Sequence, residues 1–351
     1  MAVLLTGGAG YIGSHMAWAL AAAGHEVVII DRLSTGFRDA VAPFARFYAA
    51  DIADANMLRQ IFRENAIEAV LHFAGSAVVP DSLRDPLGYY RNNTLASQTL
   101  IEETVKAGIR HFIFSSTAAV YGNPPTDAPV TEACETRPEN PYGRSKLMTE
   151  AILADTARAT PGFRYAALRY FNVAGADRLG RAGQSTRNAT HLIKVACEAA
   201  LGLRNEIRIF GQDFPTPDGT GVRDYIHVDD LTMAHLKALD YLRAGGESLP
   251  VNCGYGRGAS VLEVLRAVET VAGVSLPVVF DARRPGDAAS VIADPARAAS
   301  LLGWQPQHPG LEAIVETALA WERRLMAERL QAAGRRFADG ASASGRYCII
   351  P

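Results

Sequence analysis

The feature that most narrows what this chain can fold into is the run Gly7-Gly8-Ala9-Gly10-Tyr11-Ile12-Gly13 and its position. It directly follows the apolar strand pattern Val3-Leu4-Leu5 and opens a helical pattern from about Tyr11 to Ala23. A glycine turn alone is common. Between a strand and a helix it is a phosphate cradle: Gly7 permits the tight turn, Gly10 lets the backbone approach a pyrophosphate, and Gly13 allows close packing. The helix N-terminus adds free N–H groups and partial positive charge. The next strand, Glu26-Val27-Val28-Ile29-Ile30, ends at Asp31, whose carboxylate can accept both hydroxyls of an adenine ribose and would repel a 2′-phosphate. Arg32 could pair with such a phosphate, but the carboxylate holds the primary position, so NAD is favoured over NADP.

The same rhythm continues. Ala69-Val70-Leu71-His72-Phe73, His111-Phe112-Ile113-Phe114 and Tyr165-Ala166-Ala167-Leu168 are apolar on both faces and separated by helical stretches. That combination predicts a doubly wound α/β Rossmann fold, a parallel sheet covered on both sides. After about Tyr170 the pattern loosens. Helices are expected at 192–201, 261–271 and 311–330, and strands at 207–209 and 276–280, giving a smaller mixed α/β substrate-binding lobe. The expected division is 1–172 plus a returning segment at about 220–250 for the Rossmann domain. The lobe takes about 173–219 and 251–330, and an Ala/Gly/Ser/Arg-rich tail takes 331–351, closing on Ile349-Ile350-Pro351.

Composition removes several classes. With 35 basic and 37 acidic residues the formal charge is −2, whereas a duplex-binding protein usually carries a basic excess. No nucleic-acid partner is expected. Cys134, Cys197, Cys253 and Cys348 form no C-x-x-C pair, so neither a zinc site nor a disulfide framework is expected. No apolar run approaches the roughly 20 residues of a membrane span, and no signal-peptide pattern follows Met1. A cytoplasmic protein without membrane partners is the expectation.

Chemistry enters at Tyr142-Gly143-Arg144-Ser145-Lys146, which puts a phenol and an ammonium on one helical face at i and i+4. A free tyrosine titrates at about 10 and is a poor base at neutral pH. A neighbouring ammonium, with a positive nicotinamide ring, would favour phenolate. The pair lies downstream of Phe114-Ser115-Ser116-Thr117 at a strand's C-terminal end, the edge where open α/β sheets bind ligands. Thr117 could bond a substrate hydroxyl and share its proton with Tyr142.

Together these residues resemble the extended short-chain dehydrogenase/reductases, and most closely the UDP-glucose 4-epimerase family. The pieces are Thr6 to His15, His72-Phe73-Ala74-Gly75, Tyr89-Tyr90-Arg91-Asn92-Asn93, Tyr142-x-x-x-Lys146, Arg169-Tyr170-Phe171-Asn172-Val173-Ala174-Gly175, Asp218 to Val228, and Arg283-Arg284-Pro285-Gly286-Asp287. The resemblance runs from Leu4 to about Pro306. It implies a bound NAD that stores a hydride while Tyr142 removes the 4-hydroxyl proton. The 4-keto sugar then turns over, and hydride returns to its other face.

The resemblance also implies residue roles. Thr117, Tyr142 and Lys146 would be catalytic. Gly7, Gly10, Tyr11, Ile12, Gly13, Asp31, Ser34, Thr35 and Gly36 would hold the cofactor, with Asp51 and Ile52 at the adenine and Phe73, Ala74 and Gly75 near the pyrophosphate. Asn92, Ser115 and Tyr170 would complete that shell. Asn172, Arg223 and Arg284 would hold the UDP diphosphate, Phe210 would lie by the uracil, and Asp287 would bond a ribose hydroxyl. His191 and Val291 would face the sugar, and a homodimer is implied.

This chain departs from the family pattern in four places. Thr117 replaces a serine, Ser76-Ala77 stand where some members have a lysine near the phosphates, His191 replaces an asparagine, and Val291 replaces a tyrosine. The smaller Val291 could admit an N-acetyl group, or the pocket could suit a pentose. Dehydratases of the same fold carry Asp-Glu after the strand-end threonine; here Thr117 is followed by Ala118-Ala119, which transfer no proton. UDP-glucose/UDP-galactose is the first substrate expectation, with UDP-pentose, UDP-uronate or UDP-N-acetylhexosamine as alternatives. A catalytically silent NAD-sensing protein is the competing class.

Overall fold

The computed structural model describes residues 2–124, 128–186, 189–284 and 287–343. Cys348, the closing Ile349-Ile350-Pro351 and the Pro285-Gly286 step of the late motif lie outside the described residues. Six strands alternate with helices through the first half: β1 (Ala2–Thr6), β2 (Glu26–Ile30), β3 (Arg46–Tyr48), β4 (Ile67–His72), β5 (His111–Thr117) and β6 (Arg164–Tyr170). The intervening helices are α1 (Tyr11–Ala22), α2 (Ala55–Glu64), α3 (Val79–Arg84), α4 (Pro86–Tyr89), α5 (Ala96–Lys106) and α6 (Pro141–Ala159). The later strands are β7 (Asn172–Ala174), β8 (Ile207–Phe210), β9 (Val222–His227), β10 (Leu249–Cys253), β11 (Gly258–Ser260), β12 (Val278–Asp281) and β13 (Ser290–Val291). With them come α7 (Leu192–Ala200), α8 (Val228–Arg243), α9 (Val261–Ala272), α10 (Ala296–Leu302) and α11 (Leu311–Ala343).

Seven parallel strands form the main sheet in the order β10-β6-β5-β4-β1-β2-β3. Successive residues of β1 feed opposite layers, which is why its five residues are all buried. Val3 and Leu5 join a core with α1 and α8, and Leu4 joins a core with α2, α5 and α6. Each fully buried Leu or Val contributes roughly 1.5–3 kcal/mol of transfer free energy. Chain order reverses between β1 and β4, so the loops leaving their C-terminal ends diverge and open a crevice there.

The lobe has its own core, where α7, α9 and α11 pack around Ile207 and Ile209 of β8. The division between domains is finer than the sequence pattern implied. Within 220–250, β9 pairs with β7, β11 and β13 in a separate sheet, while α8 and β10 belong to the Rossmann layers. Within 251–330, α10 and Trp304 return to the Rossmann core, and Trp304 Nε1 donates to the Asp230 carbonyl at 2.9 Å. Helix α11 continues through Ala343, past the boundary expected at 331.

Candidate active site

The crevice at the β1/β4 switch is a cavity of about 740 Å³. Every residue expected at the cofactor lines it. The glycines are required by geometry. Gly7 has φ +71°, and a Cβ there would sit 2.6 Å from Ala74 N. A Cβ on Gly13 would lie 2.2 Å from Gly7 O. Gly10 precedes α1 and supplies no side-chain cap, so the first-turn N–H groups stay available at the cavity.

Asp31 shapes this end twice. Its Oδ2 accepts from Ala9 N at 3.0 Å and its Oδ1 from Leu33 N at 2.8 Å, fixing the glycine loop while leaving lone pairs for a ligand. Arg32 also lines the cavity, with Nη1 2.7 Å from Asp51 Oδ2, so its charge is paired there while Asp31 holds the position on the glycine loop. A dinucleotide fits these residues: the tight cradle, the open helix terminus and the carboxylate are all in place.

Asn92 Nδ2 donates to Ser76 Oγ at 2.8 Å. Asn93, on the same π-helical turn (Tyr90–Leu95), brackets the Ser76 backbone, accepting from its N at 2.7 Å and donating to its O at 3.0 Å. This clamp fixes the backbone of the segment after Gly75. The sequence reading had passed over Ser76 and Asn93 as positioning groups.

Tyr142 and Lys146 enter from α6, whose first turn is set by Pro141 and by Asn140 capping Gly143 N at 2.9 Å. Thr117, at the end of β5, lines the cavity with Tyr142, near enough to pull its phenol pKa down. Lys146 Nζ donates to the Ser115 carbonyl at 2.9 Å and lies 4.9 Å from the centre of the Phe114 ring. The Ser115 and Tyr170 hydroxyls also touch.

The protein's own groups do not by themselves depress the Tyr142 pKa. Burial pushes the phenol up, and only Thr117 pulls it back. Burial also lowers Lys146 to about 8, opposed by Glu150. Both shifts have one physical origin: a dry pocket disfavours charge on either group.

Behind Lys146 lies a network the sequence reading did not single out. Glu150, one turn further along α6, is buried and forked by Arg169, with Nε 3.0 Å from Oε1, and is touched by Ser116 Oγ. Arg169 Nη1 donates to Tyr121 Oη at 2.9 Å, and Tyr121 donates to Asn252 Oδ1 at 2.7 Å. The available signal was Glu150 at i+4 from Lys146, on the face already assigned to the site.

On the lobe side, Asn172 and Arg284 line the cavity, as does His191, which pairs with Gln184 and is held neutral by burial. The Arg284 guanidinium stacks over Phe210 at 3.6 Å, and Asp287 N donates to Arg284 O at 3.3 Å. Arg223 donates to the Val222 carbonyl at 2.8 Å, with its pKa lowered by burial against the pull of Tyr225 and Asp287. Among the described residues neither arginine has a carboxylate within ion-pair distance. Phe210, Arg223 and Asp287 flank the cavity rather than line it. Val291 is not in the cavity wall; it pairs with Arg223 in the sheet and packs with Val120, Tyr121 and Phe171.

A glycine-cradled dinucleotide site facing a Tyr/Lys pair at the strand ends defines an oxidoreductive Rossmann enzyme of the short-chain dehydrogenase/reductase type. Residues 3–254 match the model of the NAD dependent epimerase/dehydratase family, and the chain belongs to that family. It is 54% identical over 342 residues to the UDP-glucose 4-epimerase of Azospirillum brasilense, covering 97% of each chain. Its structure is similar to that of UDP-glucose 4-epimerase from Bifidobacterium longum in complex with NAD+ and UDP (TM-score 0.87, 36% identity, 92% of this chain and 98% of that one). It also resembles the UDP-Glc/GlcNAc 4-epimerase from Campylobacter jejuni (TM-score 0.81, 45% identity, 92% and 99%).

Proposed function

We propose that this chain interconverts UDP-glucose and UDP-galactose by oxidising and re-reducing C4 of the sugar. The observation that carries this reading is one cavity in which Thr117 and Tyr142 meet between the glycine cradle and Arg284, followed by Ala118-Ala119 where a dehydratase would need a second acid and base. The glycine turn, Asp31 and the Ser76 segment hold NAD, which when bound supplies the temporary acceptor for the hydrogen on C4. Thr117 and Tyr142 take the 4-hydroxyl proton, keep it at the phenol oxygen and return it to the product. Lys146, held on the Ser115 carbonyl, offsets the negative charge while Tyr142 is deprotonated. Asn172, Arg223 and Arg284 grip the diphosphate, Phe210 lies against the uracil, Asp287 bonds the ribose, and His191 faces the sugar. Free guanidinium groups suit a diphosphate because they present fixed, bidentate donors.

Incubation with UDP-galactose should yield UDP-glucose with no added oxidant. No product from any UDP-hexose or UDP-pentose would overturn the reading in favour of a silent NAD-binding protein. A second reading, turnover of UDP-N-acetylhexosamines, is supported by the similarity to the Campylobacter enzyme. We further propose a cytoplasmic homodimer. Exposed Leu83, Leu87, Leu95 and Met148 near α5 and α6 support self-association, and free Cys134, Cys197 and Cys253 support a reducing compartment. A purely monomeric mass by light scattering at micromolar concentration would remove the dimer.

A further inference from the structure

The lobe contains a charged cluster that the chemistry above does not use. Lys194 on α7 contacts Glu322 on α11, and both are almost fully buried, at 4% and 2% exposure. Lys194 Nζ also lies 3.2 Å from Glu198 Oε1, and Glu198 Oε2 lies 2.5 Å from Arg204 Nε. Arg204 then donates to the Ala189 carbonyl at 3.2 Å. The result is an alternating chain, Glu322–Lys194–Glu198–Arg204, running from α11 to the loop before α7. Two cations balance two carboxylates. The second oxygen of Glu322 is buried without a partner among the described residues.

Stability alone is a poor reason for such a pair, because desolvating two ions offsets most of their attraction, and apolar residues of the same volume do as well or better. What a buried pair does supply is a fixed geometry. Its location is informative: Ala189, His191, Lys194 and Glu322 line the same cavity as Asn172 and Arg284. The wall segment 189–193 is thus anchored at Ala189 by Arg204 and at His191 by Gln184, and the residue that follows it, Lys194, is held by Glu322. All three anchors act on one stretch of chain.

We propose that Lys194 and Glu322 are positioning residues for UDP binding, holding α7 against α11 so that residues 189–193 keep their place in the cavity wall. This rests on the UDP-sugar reading. They touch no reacting atom, so they act on affinity and leave the chemical step alone.

The test compares the NAD-loaded wild type with the apolar double variant Lys194→Met/Glu322→Leu. UDP affinity is measured by calorimetry, together with thermal midpoint, bound NAD, kcat and KM. The double variant should keep its midpoint and its NAD, weaken UDP about tenfold, raise KM similarly and hold kcat within about threefold. UDP affinity within about twofold of wild type, at an unchanged midpoint, would overturn the proposal. Should the double variant fail to fold, Glu322→Gln and Glu322→Ala give the same decision. The amide should bind UDP nearly as wild type does and the alanine about tenfold more weakly, whereas equal affinities would overturn it. A wild type that binds no UDP at all would instead overturn the UDP-sugar reading itself.

Discussion

The two ends of the cavity are built on opposite plans. At the cofactor end the polar groups are already engaged with the protein: Asp31 holds Ala9 and Leu33, Arg32 is paired with Asp51, and Asn93 brackets Ser76. At the end proposed for UDP, Arg284 and Arg223 lack carboxylate partners among the described residues; Arg284 stacks on Phe210 and Arg223 reaches only a carbonyl. The first plan suits a ligand that stays, since a preformed cradle loses little entropy on binding. The second suits a ligand that must enter as an anion and leave again, because its charge completes the site only while it is present.

This contrast can be broken most directly where the two ends meet. Tyr142→Phe should lower kcat by about a thousandfold while leaving NAD content and UDP affinity near wild type, since general acid–base groups are worth roughly 10² to 10⁴. A loss of bound NAD instead would mean that the phenol belongs to the cradle rather than to the chemistry. Arg284→Ala should come next, weakening UDP by about 10- to 100-fold, the size expected of a charge-assisted hydrogen bond, with NAD retained. Equal loss of both ligands would erase the distinction between the ends.

Acid should destabilise the fold through its buried histidines, His191 in the lobe among them. His15, His72, His227 and His235 are buried on the Rossmann side or at its edge, and burial lowers them to about 4, 3, 3 and 4. Their folded pKa values lie below the unfolded 6.5, so the stability they contribute is full above pH 6.5 and lost as pH falls toward 4 and below. In that window each should remove about 1.4 kcal/mol per pH unit. Denaturant unfolding at pH 7, 6 and 5 would show it, and a flat profile would contradict it. The smallest effect is expected at Val291. Because it packs behind Phe171 and outside the cavity wall, Val291→Ala should leave the ratio of N-acetylhexosamine to hexose turnover within about twofold, small beside the 10-fold or greater effect of one lost methylene contact in a specificity pocket.

The legibility of the chain follows the same boundary. Strands β1, β2, β4, β5 and β6 and the glycine turn could be read directly, because burial on both faces and a strand–turn–helix junction leave local marks; the edge strands β3 and β10 could not. Tyr142 and Lys146 were readable as a pair, but how strongly burial acts on each was not, since it depends on how dry the pocket is. Val291 matched a motif position and yet lies outside the cavity wall, because pairing with Arg223 turns its side chain toward Tyr121 and Phe171. The segment 220–304 alternates between the two domains, and nothing in its periodicity reveals which sheet a short strand will join.

The sequence by itself determined the cofactor end: a φ of +71° at Gly7, close packing at Gly13 and a carboxylate at the end of β2 are requirements of single positions. Only the tertiary structure decided which buried charges support the site. Glu150 finds Arg169 and Tyr121, and Lys194 finds Glu322 from 128 residues away. A buried ion pair is specified by two distant side chains meeting in one dry place, and neither residue alone carries that information.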